Sequence, residues 1–135
     1  MVAKKLLIVT VLVEMPVGLL LLLSPPLVVR LLLGASLDAP AALIVGRIAG
    51  AALLSLSVAC WLARDDGPSR RRGLVAAMLL YNCASVAVLA HAGGVVRLVG
   101  VLLWPAIALH AALAVWSFAA YSVDAPIHAP DERLQ

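Results

Sequence analysis

Charge is what this sequence has least of. Of its 135 residues, 13% are Asp, Glu, Lys or Arg, and 4% are aromatic. A soluble domain carries about a quarter charged residues, so a water-exposed globular surface cannot be assembled from this chain. Cysteine is confined to Cys60 and Cys83, each inside an apolar run and without Cys-x-x-Cys spacing. That excludes a disulfide scaffold, a zinc site and a thioredoxin-like redox centre. A Gly-rich phosphate loop, a His-Glu-x-x-His pair, a Gly-x-Ser-x-Gly nucleophile and paired acidic motifs are also missing. A non-enzymatic role is therefore the expectation. No cofactor is expected either. His91 and His110 differ in estimated depth by about one to two helical turns, which speaks against a bis-histidine haem within one chain.

Apolar length is what the chain has in abundance. It is 64% hydrophobic, with a mean hydropathy of +1.11. At about 1.5 Å per residue, four runs are long enough to cross the hydrocarbon layer: about 6–23, 42–63, 74–92 and 98–121. The expected fold is all-α, a single-domain integral membrane protein with four transmembrane helices. Ser24-Pro25-Pro26 ends the first run. Residues 26–33, apolar except for Arg30, would extend about 10 Å as a helix, too short to span, so they read as an interfacial or re-entrant helix. Ser24 is its candidate cap and Gly34 its stop. Asp38-Ala39-Pro40 resembles an N-cap followed by an early proline. Arg64 to Gly73 reads as a solvent loop, Gly93-Gly94 as a tight turn, and 123–135 as a polar tail without fixed structure. A cleaved signal peptide is the rival reading of the first run, with Lys4 and Lys5 ahead of it and Gly34-Ala35-Ser36 near a cleavage site. Its apolar region would be too long and would contain Glu14 and Pro16, which disfavours cleavage. Pro16 cannot donate to the carbonyl of Leu12 and predicts a kink beside Glu14.

The net charge is +3 and the pI about 9.3. The basic residues flank apolar runs, so they orient the chain in a membrane and do not indicate nucleic acid. With the N-terminus inside, Lys4, Lys5, Arg64, Arg70, Arg71, Arg72 and Arg133 lie inside, and Arg30 and Arg97 outside. That bias places both termini in the cytoplasm of a cell with this chain in its inner membrane. The Arg70-Arg71-Arg72 triplet serves as the orientation signal or binds anionic head groups.

Glu14, near the middle of the first run, is the chief anomaly, because a carboxylate in lipid must face protein, water or a partner. Counting along each span puts Glu14 and Asn82 about 12 Å from the inner end, Ser55 at a similar depth and His110 about 16 Å. These four form a candidate intramembrane polar site. Thr10 shares a helical face with Glu14, as Ser117 and Tyr121 do with His110. Two readings stay open. Glu14, Asn82 and His110 hydrogen-bond one another and fix helix register, or Glu14 exchanges a proton or meets a cation. Arg47 lies higher, where it would snorkel outward to meet Asp38 in preference to a bent ion pair with Glu14. Ala42, Gly46 and Gly50 form a small-residue stripe that admits a neighbouring backbone. Cys60 and Cys83 read as small apolar packers.

The run Gly46-Arg47-Ile48-Ala49-Gly50-Ala51-Ala52-Leu53-Leu54, an arginine and glycines opening a leucine-rich helix, resembles the small four-helix bacterial membrane proteins often called DoxX-like. That resemblance covers one helix, with helix number and length over the rest, and implies no settled activity. In size, helix number and a carboxylate in the first helix, the chain is also similar to small multidrug resistance transporters. It differs from them in residues 27–33, in Arg47 and His110, in Pro16 beside the carboxylate and in having few aromatics. Three functions are compatible with this pattern. The first is an accessory or interaction subunit that packs through small-residue helix faces, in a homo-oligomer or larger membrane complex surrounded by membrane lipid. The second is a proton- or cation-coupled transporter using Glu14. The third is a binder or enzyme for a lipid-like molecule.

Overall fold

The computed structural model describes residues 2–123. These form five helices: α1 (Val2–Leu23), α2 (Pro25–Leu33), α3 (Pro40–Ala63), α4 (Pro68–Gly94) and α5 (Leu103–Val123). Four are long and apolar enough to cross a membrane, and the short α2 lies between the first and second of these. The chain is an all-helical, multi-pass membrane protein in outline. The tail anticipated over 123–135 lies, after Val123, outside the described residues.

Prolines set where the helices start. Pro25, Pro40 and Pro68 each open a helix. At that position a missing N–H costs nothing, since the first amides of a helix have no intrahelical acceptor. The N-caps differ from expectation: Ser24 occupies the cap of α2 without a side-chain hydrogen bond, and Ala39, not Asp38, caps α3. Because Pro68 starts α4, Arg70 to Arg72 belong to its first turns and not to a loop. Arg72 there lies over the ring of Tyr121, 4.4 Å from its centroid. Gly93 and Gly94 remain helical, and α1 runs on through Pro16.

The fourth span begins later than the apolar pattern implies, at Leu103 and not near Leu98. Residues 95–102 run instead against the end of α2, where Gly100 N–H donates to the Leu32 carbonyl (3.0 Å) and Leu102 N–H to the Leu31 carbonyl (2.9 Å). Those carbonyls belong to the last turn of α2 and have no acceptor role within the helix, so the segment supplies donors that the lipid cannot. The join is tight. A Cβ on Gly100 would collide with the Leu31 carbonyl oxygen, and one on Gly34 would stand 2.6 Å from the Val99 oxygen. Gly34 is also the left-handed residue (φ 67°) that ends α2 by donating to the Arg30 carbonyl.

The helices associate as two pairs, α1 with α3 and α4 with α5. Within lipid, apolar burial gives helices no reason to associate, so close backbone approach matters more. Gly18 and Gly50 provide it. A Cβ on Gly50 would stand 2.5 Å from the Leu22 nitrogen and 2.7 Å from the Gly18 oxygen. Gly46 lies against Pro25, so the small-residue stripe of α3 is occupied within the chain by α1 and the start of α2. The pairs meet at the end that holds Lys4 and the α3–α4 loop. Ala3 and Leu6 of α1 pack there with Val75 of α4 and Leu113 and Ala120 of α5. Leu7 and Val11 pack with Cys60 of α3 and Met78 of α4. Of the two cysteines, Cys60 is a buried packer, whereas Cys83 is exposed, because its side of α4 carries no neighbouring helix.

Lys4 Nζ lies 2.5 Å from Asp65 in the α3–α4 loop, tying the start of α1 to that end. The neighbouring Lys4 ammonium, with smaller help from Arg64 and Arg71, holds the Asp65 carboxyl below the usual carboxylate range. A carboxyl whose pKa is lower folded than unfolded stabilises at pH above its unfolded value, and loses that effect as pH falls through the folded one. Asp65→Asn should therefore flatten the acid side of a plot of thermal midpoint against pH, below about pH 4. The shift should be small, as for other exposed pairs.

Two glycine substitutions should act in opposite directions. Gly50→Val inserts a side chain into backbone and should destabilise by about 1–3 kcal/mol. Gly73→Ala, which meets open space in α4, should stabilise by about 0.5–1 kcal/mol through helix propensity. Thermal unfolding of the two variants in detergent checks both signs.

Candidate functional site: an intramembrane cavity with a polar floor

Beyond the packed end the two helix pairs part. α3 and α4 touch through Cys60 and Met78, whose sulfurs are 3.7 Å apart. Farther along, Ala49 and Leu53 of α3 and Ala84 and Val88 of α4 instead line a cavity of about 740 Å³. α1 contributes Val17 and Leu21, α5 contributes Ala106 and Leu109, and α2 covers the far end with Val28 and Leu32. Exposed wall residues, among them Leu20, Val88 and Leu109, leave the cavity open toward the side of the bundle. The walls are apolar. The polar lining side chains are Glu14, Tyr81, Ser85 and His110, placed where the packed half of the bundle ends.

Glu14 is 2% exposed. Its Oε2 accepts a hydrogen bond from the Tyr81 hydroxyl at 2.9 Å, while its Oε1 has no partner. Thr10, one turn earlier on α1, is also buried with its hydroxyl unpartnered. Buried polar atoms are normally satisfied, so these two enclosed atoms on one face of α1 are exceptions to that rule.

The other half of the floor is assembled by Asn82, 1% exposed. Its Nδ2 donates to the Met78 carbonyl one turn back (2.8 Å), which leaves Oδ1 facing His110 Nδ1, also at 2.8 Å. An amide oxygen only accepts, so Nδ1 carries the proton and the neutral imidazole keeps Nε2 as an acceptor. The ring stands edge-on to Tyr81, with centroids 5.6 Å apart. Tyr81 and Asn82 are consecutive on α4 and so serve different partners: Tyr81 reaches α1 and Asn82 reaches α5.

The four residues expected to share this level behave differently. Glu14, Asn82 and His110 come to the same region, but Glu14 bonds to Tyr81 and not to the other two. Ser55 does not join them. It is exposed and donates back to the Ala51 carbonyl, because α3 turns the face of Gly50, Ser57 and Cys60 inward. Ser57 is the buried serine, and it donates to Leu53 within its own helix, as Ser117 does to Leu113. Arg47 and Asp38 are both exposed, and among the described residues Arg47 pairs with neither Asp38 nor Glu14. They sit on the outward surface of α3 and its leading loop. Ala42 is half-buried near the start of α3, with Gly46 and Gly50 turned inward as described. Tyr81 and Ser85 were the residues missed. Their signal was their place beside Asn82 and one turn beyond it, in a chain with only two tyrosines.

Comparison with family models, curated proteins and solved structures finds no match to this chain.

Asn82 should control the His110 tautomer. In nitrogen NMR of selectively labelled protein, His110 should be protonated at Nδ1, and Asn82→Ala should release that preference. The same substitution leaves the His110 Nδ1 proton without its partner and should lower stability by about 1–3 kcal/mol.

Proposed function

We propose that this chain is a membrane-embedded binding protein for an elongated, mostly apolar molecule whose polar end rests against Tyr81, Ser85 and His110. The observation that supports it is the cavity itself, walled by Leu, Val and Ala and presenting the half-buried Tyr81, Ser85 and His110 at its floor, with Glu14 enclosed behind the Tyr81 hydroxyl. A volume of about 740 Å³ lies within the range of about 300–1,000 Å³ typical of small-molecule sites. The fully apolar walls and the lateral opening suit a molecule that reaches the site from lipid.

Two other readings use the same residues less completely. A carrier needs access from both sides, whereas Leu6, Val75 and Leu113 close the end beneath the floor. An interaction subunit would dock through the small residues of α3, and Gly46 and Gly50 are already occupied within the chain. For orientation, Lys4, Lys5, Arg64 and Arg70 to Arg72 gather at the packed end, which the positive-inside rule assigns to the cytoplasm. The cavity and α2 then belong to the outer half of the membrane.

Ala84→Trp tests the reading by filling the cavity from α4, one turn beyond Tyr81, while leaving every polar lining residue in place. Wild-type protein extracted into nanodiscs should carry a bound small molecule in native mass spectra, and Ala84→Trp should lack it. Identical spectra for the two would count against the proposal.

A further inference from the structure

Most of the charge in the described residues gathers at the packed end of the bundle. Lys4, Lys5, Arg64, Arg70, Arg71 and Arg72 stand there against Asp65 and Asp66. The Asp65 carboxylate is taken by Lys4 at 2.5 Å and by Arg64 Nε at 3.3 Å. Arg64 is taken as well: it lies over the Trp61 ring, 3.8 Å from its centroid, and donates to the Trp61 carbonyl. That leaves Arg70, Arg71 and Arg72, which make no ion pair among the described residues. They do nothing for α4 itself. Its first turn holds no acidic residue, and cations at the positive end of a helix dipole are unfavourable.

We propose that these three arginines form a recognition site for the phosphodiester head of an anionic phospholipid, separate from the cavity. An orientation signal needs charge alone, whatever its geometry. Here two of the three guanidinium groups are held in place. Arg72 lies over the Tyr121 ring, which covers one face of the group and leaves the N–H donors at its edge available. Arg71 is half-buried and donates from one Nη to the Arg64 carbonyl at 3.3 Å. Arg70 beside them is exposed. Arginine forks in fixed positions suit phosphate oxygens, which accept parallel N–H bonds. The depth is that of head groups. Trp61 and Tyr121 stand near the ends of α3 and α5, where interfacial aromatics belong, and each carries an arginine. A zwitterionic phospholipid brings its own cation and leaves the surplus charge of this end unmatched, whereas phosphatidylglycerol brings the anion alone.

The full chain in nanodiscs of equal parts phosphatidylcholine and phosphatidylglycerol tests this, with the lipids retained on the released protein counted by native mass spectrometry. Phosphatidylglycerol should be retained over phosphatidylcholine by about tenfold at low salt. Arg72→Lys and Tyr121→Leu keep the net charge but remove the fork or its platform, and each should lower that preference by about threefold or more. Lys5→Gln, which removes a charge from the same end and no arginine, should lower it by less than about twofold. Equal retention of the two lipids by wild-type protein would overturn the proposal, and this comparison decides the matter even if Tyr121→Leu does not fold. An unchanged preference in both charge-preserving variants would overturn it too, leaving the triplet as bare charge that orients the chain. Loss of the preference in Ala84→Trp would assign the retained lipid to the cavity and overturn the separate site. Displacement of the lipid by excess inorganic phosphate would overturn the lipid as occupant in favour of a soluble anion.

Discussion

The backbone contact between Gly18 and Gly50 is the constraint on which the arrangement of this bundle depends. It holds α1 to α3 at a separation that no side chain would permit, near the end covered by α2. At its other end α1 is held differently, by Leu6 against α4 and α5 and by Leu7 against α3 and α4. One helix thus belongs to the α1–α3 pair along its length and to the whole bundle only over its first turns. The space between the pairs follows from that division. Glu14 sits at the transition, the last buried side chain of α1 before the walls separate, with only Gly18 enclosed beyond it, against α3.

This placement explains how a carboxylate is accommodated at such a depth. Burial in an apolar medium is costly without hydrogen bonds, and Tyr81 supplies one. The Asn82–His110 link stands beside it, and Ser57 and Ser117 satisfy themselves by bonding back into their own helices. The polar groups therefore divide into those that are complete and those that are not. Oε1 of Glu14 and the Thr10 hydroxyl belong to the second kind, on the same side of α1.

Much of this architecture was legible in the sequence, because the bilayer makes apolar run length nearly equivalent to helix count. The four long helices and the short α2 follow from run length and from the prolines. Depth was legible too, since counting residues along each span brought Glu14, Asn82 and His110 to one level. Azimuth was not. Ser55 and Ser57 differ by two residues and so by more than half a turn, and only the position of Gly50 against α1 decides which points inward. The start of α5 was also hidden: residues 98–102 are as apolar as a helix requires, but their amides are drawn to the end of α2. That is a long-range bond with no local signature. Tyr81 escaped notice because an aromatic in an apolar run reads as packing until the carboxylate opposite it is placed.

The junction of α2 with residues 95–102 bears on how the protein is made. The last carbonyls of α2 emerge early in synthesis, yet the amides that satisfy them lie some seventy positions later, between α4 and α5. Until that segment arrives, the turn around Gly34 has open backbone groups and must stay near water or head groups. The cover of the cavity is therefore completed only when the final hairpin is inserted. A chain stalled before α5 would present an uncovered, half-walled cleft to the surrounding bilayer, a state that membrane quality control could tell from the finished fold.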